Sequence, residues 1–594
     1  MKKFLAILLS LVSAAALLGG CKKDDNSTVT PPPQDTETTT PGETPPETEN
    51  PSEPETPPEE VKPPQTVISP LSKEIKDNLS AGGFVKGKIS DFSEYEGTSA
   101  YRKVKTADEF IAAIADAKYH YDNVWNDEDG TYTQVPKEGY TQDNFKGTVK
   151  VIEIENDLNL GYKVLSSAAK ATGLATDFAS KANNLVNYLP MSDMFTENGI
   201  SQIKIENTSN LLIYSKNGAK LTHCGFKLTS DTNVVFRNLQ FDEMWQWEDG
   251  LTKSAGKIGD YDWFGWAYFK ISFCGYIWID HCSFGKSYDG QIDYSNPDYT
   301  VNAGVAFRAP YGADGGNGLH ISFCNFNAGS DDENGYLYKM MKKIEDEYQA
   351  GGENYLYYNA LRKAGASFED ILYGVAIPQK KGFLCGDSGN NKEDYDYNLK
   401  LNISFADCLF KNIEDRLPKL RGGNAFMYNC VVDASQYFGY RKKLKNINAA
   451  GVVSAVNSGW KCALVSQGIL CGNGGSVKAE NCIFRGIENL LKNNDTQSGE
   501  KDVNGGYMLV NCSYKKDATN TEYIGSSSDT GNRFENSTPT KLKTEYFSWH
   551  NQTNTQPFEI SAIKLNDIET LISNADYGAG TNDKFNNLFL KNVY

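Results

Sequence analysis

The chain has 594 residues and a mass of 65.7 kDa, and it is acidic, with a formal net charge of −17 and a pI near 5.0. Length alone permits several domains, and we expect no nucleic acid partner. Beyond the N-terminal stretch no continuous apolar run is long enough to cross a bilayer, so we expect a soluble body.

The N-terminus predicts export. It reads "MKKFLAILLSLVSAAALLGGC", with a lysine pair, a short apolar run and small residues before Cys21. The ending "LGGC" resembles a bacterial lipobox, whose cleavage leaves a lipidated cysteine. An ordinary signal peptide with a chance cysteine is the alternative. We therefore expect residues 1–20 to be a lipoprotein signal peptide and the protein to lie in the outer membrane or on the cell surface, held by its lipid anchor only.

Residues 21–67 predict a disordered spacer. They carry twelve of the 21 prolines and almost no apolar side chains. Such a segment cannot bury enough surface to offset its chain entropy. Its eleven acidic residues and three lysines contribute −8 of the net charge, so the overall acidity says little about the working surface of the domain.

Residues 68–594 predict a parallel β-helix, in which each coil stacks on the one before it. A short pattern recurs after strand-like alternation: "DHCSF", "FCNF", "DCLF", "NCVV", "NCIF" and "NCSY". Alternation at period two places the cysteine and the following apolar residue on one inward face. We therefore expect mostly buried thiols, with one or two disulfides possible, at Cys282, Cys324, Cys408, Cys430, Cys482 and Cys512.

Three further segments depart from the coil pattern. Residues 105–120 predict an amphipathic helix that begins near Thr106 and Asp108. Residues 334–375 predict a helical insertion, either beside a cleft or as a surface cap. Residues 516–594, where the repeat fades, are expected to form a C-terminal cap or edge element.

Three other stretches carry charged side chains that are candidates for a functional site. In "YDGQIDYSN", Asp289 and Asp293 flank a turn and could face one hard cation; a solvated turn is the alternative. "PQKKGFLCG" carries Lys380 and Lys381, which could be ordinary surface lysines. "EDRLPKLRGG" carries two arginines around a proline, a pattern that suits either a planar anion or a structural ion pair.

Taken together and in order, these stretches resemble the pectate lyase superfamily, polysaccharide lyase family one. The similarity extends over most of residues 80–435, in "GGFVKGKIS", "GTVKVIEIENDLNLG", "NVVFRNLQF", "YIWIDHCSF", "YDGQIDYSN", "KKGFLCGDSG" and "LNISFADCLFKNIEDRLPKLRGGNAFMYNCVV". The resemblance implies an all-β, right-handed parallel β-helix and cleavage of α-1,4-polygalacturonate by β-elimination.

The resemblance also implies residue roles. Arg416 is the expected base, and Lys381 completes the catalytic pair. Arg421 and Lys380 are the expected substrate-binding residues, since cations near a uronate carboxylate spread the charge that develops in the transition state. Asp289 and Asp293 are expected to hold calcium that bridges to substrate.

One departure puts the metal in doubt. The family has a third aspartate ligand after a tryptophan, and here that position is Ala267, whose methyl group cannot coordinate a metal. Asp262, a few residues upstream, is the tentative replacement. The histidine that usually precedes the lysine motif is also replaced, by "PQ".

Three functions therefore remain open. The first is a surface-tethered, monomeric pectate lyase that works with Ca²⁺ on an acidic polysaccharide. The second is a non-catalytic surface lipoprotein that binds pectin fragments. The third is a calcium-independent pectin lyase, for which loss of a metal ligand is expected but retention of both Asp289 and Asp293 is not.

Overall fold

The computed structural model describes residues 73–126, 131–178, 193–247, 265–295, 317–387, 398–449, 467–493, 505–516, 533–535, 547–551, 553–561 and 563–582. The chain divides into two units, Met1–Ser69 and Pro70–Tyr594, and every described residue belongs to the second. The signal peptide, Cys21 and the spacer lie outside the described residues and stay predictions. In the part of the chain that the structure describes, no helix has the length and apolar character needed to cross a membrane.

Three long sheets form the body, and the chain visits them in turn. The first, here called the covered sheet, consists of Tyr101–Val104, Val151–Ile154, Ser209–Tyr214, Thr232–Arg237, Tyr276–Asp280, Gly318–Ser322, Asn402–Ala406, Asn424–Tyr428, Ser476–Glu480 and Gly506–Val510. The second, the open sheet, consists of Ala175–Asp177, Ser201–Glu206, Cys224–Thr229, Phe269–Ser272, Ile292–Ser295, Phe383–Cys385, Lys419–Leu420, Gln467–Cys471 and Asn489–Asn493. The third sheet consists of Leu158–Asn159, Lys220–Thr222, Gln240–Asp242, Ser283–Phe284, Asn325–Phe326, Leu409–Lys411, Val431–Asp433, Ile483–Arg485, Ser513–Lys515 and Arg533–Glu535.

These pairings are parallel, apart from the antiparallel edge strand Ala175–Asp177, and the predicted parallel β-helix is confirmed. A hairpin of Tyr121–Asn126 and Thr131–Pro136 stands apart from the three sheets. The recurring pattern marks the turn from the covered sheet to the third sheet. The residue before each of the six repeated cysteines has a positive φ, between 46° and 54°. Asn and Asp tolerate this left-handed conformation better than most residues, which explains why they recur there.

The cysteines face the interior, as predicted. All ten that fall within the described residues are buried free thiols, so no disulfide joins any of them. The aromatic residues two positions after the cysteines stack from coil to coil. The ring centroids of Phe284 and Phe326 are 4.6 Å apart, and those of Phe326 and Phe410 are 5.2 Å apart. Each coil therefore repeats the packing of its neighbour.

Helices lie outside the stacked coils. The α-helices are Lys73–Leu79, Ala107–Ala117, Ser167–Ala171, Asp193–Asn198, Tyr336–Gln349, Leu356–Lys363, Phe368–Ile371, Phe438–Ala449 and Ile568–Ile572. Short 3₁₀ turns occupy Gly83–Val85, Ser93–Tyr95 and Leu565–Asp567, and a π-helical turn occupies Leu372–Ala376. The predicted helix near residue 105 begins at a capping box made by Thr106 and Glu109. The predicted insertion is helical and lies between Asn325–Phe326 of the third sheet and Phe383–Cys385 of the open sheet.

Part of the C-terminal region forms an edge element, one of the two expected forms, and the rest takes another path. Arg533–Glu535 adds an edge strand to the third sheet, but residues 547–551, 553–561 and 563–582 (the strap) run back along the side of the stack. The His550 amide donates to Asn424 at 2.8 Å, and the Asn582 amide donates to Asn238, several coils away, at 2.6 Å. The coil repeat fades in this region because the strap adds no coil of its own.

The strap and the N-terminal segment bury the outer face of the covered sheet. Phe558 packs on Phe426 of that sheet, with centroids 5.3 Å apart, and on Phe84 of the N-terminal segment at 5.0 Å. A charged pair is buried in the same sheet, where Arg237 donates to Asp280 at 2.7 Å. Strands of the open sheet instead alternate buried and partly exposed residues. One sheet is therefore closed on both faces, and the other keeps a face available.

Candidate active site

The two aspartates predicted to bind metal lie at one strand of the open sheet. Asp289 lies in the turn before Ile292–Ser295, where its amide donates to the carbonyl of Trp266 at 3.0 Å. Asp293 lies in the strand, on the outward face. Its Oδ1 is buried and has no hydrogen-bond partner among the described residues. Burial, followed by the nearby Asp289 carboxylate, raises the pKa of Asp293. The charges of Lys270, Arg416 and Lys381 act in the opposite direction.

Lys381 meets this pair from the next coil. Its Nζ lies 2.7 Å from Oδ1 of Asp289, and both side chains are mostly shielded from solvent, at 12% and 19% exposed. A charge-assisted bond of this length between partly buried groups holds the ammonium at the surface of the open sheet. The structure therefore brings together the predicted catalytic lysine and one predicted metal ligand.

Gln379 connects the same two segments, and the sequence analysis did not identify this role. Its amide nitrogen donates to the carbonyls of Asp289 at 2.7 Å and Lys381 at 2.8 Å, and its Oε1 accepts from the Ser287 amide at 2.9 Å. The side chain is fully buried. The sequence signal was the replacement of the family's histidine by glutamine before the lysine motif. Gln379 fixes the aspartate turn against the lysine strand.

Arg416 follows in the next coil, in a backbone conformation unusual for its residue type. Its φ is 64°, and its Nε is buried with no hydrogen-bond partner in the described part of the chain. Non-glycine residues in this region of φ are uncommon and cluster at functional sites. The Arg416 carbonyl accepts from the Phe383 amide at 2.8 Å, and a Cβ on Gly382 would approach that carbonyl to 2.6 Å. Only glycine at position 382 permits this close approach.

Arg421 completes the predicted set of cations. Its amide donates to the Cys385 carbonyl at 2.8 Å, which anchors the end of "RLPKLRGG" to the open sheet. Burial and then the Arg416 guanidinium lower the pKa of Arg421, while Asp387 and Asp293 act in the opposite direction. Asp293 also lies close enough to Arg416 and Lys381 for both to favour its ionised form. The five groups therefore share one region of the open sheet.

Lys380 is placed differently from the prediction. It is 5% exposed and lies in the bend that precedes strand Phe383–Cys385. Its charge acts instead on the buried groups Glu414 and Lys286. A lysine in this position supports the wall of the site from behind and does not present its ammonium to a polysaccharide.

A buried charged cluster lies beneath the site. Glu414 pairs with Arg441 at 3.2 Å, and both side chains are almost fully buried. Burial raises the pKa of Glu414 to about 7 and lowers the pKa of Lys286 to about 7. The Lys286 ammonium also donates to the carbonyl of Val375 and lies 4.6 Å from the centre of the Trp245 ring. Lys286 thus attaches the helical insertion to the coil that carries Asp289, and Glu414 attaches helix Phe438–Ala449 to the coil that carries Arg416.

Lys270 is a second residue that the sequence did not single out. It lies in register beside Asp293 on the neighbouring strand Phe269–Ser272, and its ammonium favours the ionised form of that carboxylate. Inter-coil register cannot be read from the sequence alone, so no local signal identified this residue. Asp293 therefore has a lysine on its N-terminal side and an arginine on its C-terminal side.

The donor set for calcium is smaller than in the family pattern. The described residues contain no group of three or more His, Cys, Asp or Glu side chains that could hold a metal. Ala267 is buried and contributes no oxygen, and Asp262 lies outside the described residues. The unpartnered oxygen of Asp293 beside Asp289 nevertheless suits a hard cation. Asp289 and Asp293 provide two of the oxygen ligands that a hard cation needs, and a substrate carboxylate would provide another.

The chain is similar to known pectate lyases. It is 30% identical over 357 residues to pectate lyase B of Paenibacillus amylolyticus, a match that covers 60% of this chain and 80% of the relative. It is also 24% identical over 226 residues to a pectate lyase of Bacillus subtilis, covering 38% of this chain and 40% of that protein. No family model matches the chain.

A solved structure supports the fold. The pectate lyase of Paenibacillus sp. 0602 superposes with a TM-score of 0.62 at 24% sequence identity, and the match covers 87% of this chain and all of that one. The sequence identity between the two chains is low, so the similarity shows a shared fold.

Proposed function

Since this chain belongs to the pectate lyase superfamily, we propose that it cleaves α-1,4-polygalacturonate by β-elimination, with calcium as a partner, and releases unsaturated oligogalacturonates. The proposal rests on Arg416, which has a positive φ and lies near Lys381 and the aspartate pair. Its Nε has no hydrogen-bond partner among the described residues. A guanidinium that is held by a strained backbone conformation, and whose Nε forms no hydrogen bond in the described part of the protein, is suited to binding a substrate.

The elimination begins at C5 of a uronate, next to its carboxylate. Arg416 in its neutral form takes the C5 proton, the C5–H electron pair becomes the C4–C5 double bond, and the C4–O bond breaks. The leaving oxygen takes a proton from water. A free guanidinium has a pKa above 12, so a guanidine base requires alkaline conditions, and activity is expected to rise with pH.

Removal of this proton is difficult because negative charge accumulates next to an existing carboxylate. Lys381 and Arg421 bind uronate carboxylates and offset that charge in a partly buried site, where electrostatic interactions are stronger than in water. Arginine also matches a carboxylate as a planar fork. Gln379 and Gly382 keep the segments that carry these groups in register.

Asp289 and Asp293 would hold calcium. A divalent cation there supplies positive charge to the substrate carboxylate and so favours loss of the C5 proton. Because Ala267 provides no third ligand, we expect affinity for calcium to depend on substrate more strongly than in a site with three carboxylates.

The place of action follows from the N-terminal prediction. A lipid on Cys21 and the proline-rich spacer would hold a monomeric enzyme at the cell surface, where it meets an acidic polysaccharide too large to be imported. Radiolabelled palmitate incorporated into the wild-type chain and absent from a Cys21→Ser variant would support the anchor, and labelling of both would contradict it.

The activity is tested on the full chain with polygalacturonate, by following the ultraviolet absorbance of the new C4–C5 double bond. We expect product to form at alkaline pH, to disappear with a chelator and to return with added calcium. Absence of product at every pH, with polymer binding retained, would favour the binding protein. Chelator-insensitive activity that is higher on methyl-esterified pectin would favour the calcium-independent lyase.

A further inference from the structure

A row of lysines extends from the site along the open sheet. Lys204, Lys227 and Lys270 occupy the same register position on three successive strands, and Asp293 takes that position on the fourth. All three lysine side chains are partly exposed on the outward face. The lysine row is therefore continuous with the candidate active site.

This arrangement is unfavourable unless an anion is bound. Neighbouring strands lie about 4.8 Å apart, and like charges directly opposite each other destabilise a sheet. Within the described residues, no carboxylate forms an ion pair with Lys204 or Lys227, whereas many other lysines of this chain do so. Only Lys270 has a carboxylate, Asp293, as its register neighbour.

A row of hydroxyl groups runs beside the lysines. Thr229 and Ser272, two residues after Lys227 and Lys270, lie in register with each other and with Ser295 on the strand of Asp293. The residue in the same position beside Lys204 is Glu206, which forms an ion pair with Lys118. The Thr229 hydroxyl oxygen is buried and has no hydrogen-bond partner in the described part of the molecule. Adjacent rows of ammonium and hydroxyl groups match a polymer whose every unit carries a carboxylate and hydroxyls.

We propose that Lys204, Lys227 and Lys270 form a binding track for successive carboxylates of an unesterified acidic polysaccharide, on the side of the cleavage site that faces the N-terminal coils. The inference rests on the proposed function, because it takes the same polymer as ligand. The track selects long, unesterified substrates, since a methyl ester removes the charge that each ammonium binds, and a short oligomer does not reach beyond Lys270.

The test uses a Lys204→Gln/Lys227→Gln double variant of the full chain. Both lysines lie away from the groups that act on the C5 proton, so kcat is expected to stay unchanged. KM for polygalacturonate is expected to rise about fivefold to tenfold at low ionic strength, while KM for trigalacturonate stays the same. A Lys227→Arg variant keeps the charge and should retain the wild-type KM.

The matched control is Lys86→Gln/Lys363→Gln, which removes two charges at exposed positions outside the open sheet. If KM for the polymer rises no further in the track variant than in this control, or if it rises equally for trigalacturonate, the track is wrong. If the wild-type chain yields no unsaturated product, the proposed function fails, and calorimetric affinity for polygalacturonate then decides the track by itself. A weaker affinity in the track variant supports the track, and an equal affinity overturns it.

Discussion

The covered sheet and the open sheet are built from the same coils, but the covered sheet has protein packed on both faces and the open sheet keeps one face accessible. Every residue of Tyr276–Asp280 in the covered sheet is buried, because interior side chains lie on one face and the strap and N-terminal segment lie on the other. In the open sheet, Ile292–Ser295 alternates buried and partly exposed residues. The two sheets therefore use charge differently.

In the covered sheet a charge is neutralised within the protein. Arg237 and Asp280 are both buried and bonded to each other, and His281 also contacts that carboxylate at 2.7 Å. In the open sheet, Arg416 and Asp293 each keep a buried polar atom without a hydrogen-bond partner among the described residues. The accessible face of the open sheet, and not charge or a missing hydrogen bond alone, distinguishes the candidate site from the scaffold, because buried polar atoms without a hydrogen-bond partner also occur elsewhere among the described residues.

The largest expected effect concerns Arg416. Replacing it with alanine removes the proposed base, and we expect kcat on polygalacturonate to fall by about 10³-fold with little change in unfolding free energy. Arg485→Ala, in the third sheet, removes a partly exposed ion pair with Glu569 and should leave kcat unchanged. Steady-state kinetics together with urea unfolding check both variants. Retained activity in Arg416→Ala would remove this residue from its role.

The opposite result is expected in the covered sheet. Arg237→Met leaves the buried Asp280 carboxylate with less compensation and should lower the unfolding free energy by about 3–5 kcal/mol. The kcat of the molecules that remain folded should not change. Adding Asp280→Asn should recover part of the stability. Urea denaturation measures each step, and a loss of kcat without a loss of stability would erase the distinction between the sheets.

A smaller effect is expected from Glu414, which lies under the open sheet. Its folded pKa of about 7 exceeds the ordinary value of 4.5, so the folded chain binds this proton more tightly than the unfolded chain. The resulting stability is present below about pH 4.5 and is lost as pH rises through about 7. The Glu414→Gln variant has no carboxyl group at this position and does not lose this stability. Between about pH 4.5 and about pH 7, its unfolding free energy relative to that of the wild type should rise by about 3 kcal/mol. Urea unfolding at several pH values measures the difference, and a pH-independent difference would contradict the buried, protonated carboxyl.

The sequence predicted the coils because their signal is local. Alternation and the repeated cysteine turn depend on residues a few positions apart, and both appear in the structure. The site residues came from resemblance to a family, and Lys381, Arg416 and the aspartates do lie in one region. Lys380 was assigned to the substrate, but the bend in which it lies buries it, and no local pattern predicts this burial.

What the sequence could not predict depends on distance along the chain. Lys270 acquires its significance from register with Asp293 on another coil, and Gln379 from contacts with carbonyls of two segments. Residues 516–594 were expected to form a cap or edge element, and no repeat in the sequence marks the path of the strap. In each case the decisive partner is remote in sequence, and no local pattern encodes it.

The strap also bears on how the stack comes apart. A solenoid whose coils contact only their neighbours can fray from either end, one coil at a time. The contacts of Asn582 with Asn238 and of His550 with Asn424 span 344 and 126 positions of the chain. Unfolding of the coils between these two contacts breaks both contacts. We therefore expect the strap to make unfolding of this stretch more cooperative than coil-by-coil fraying.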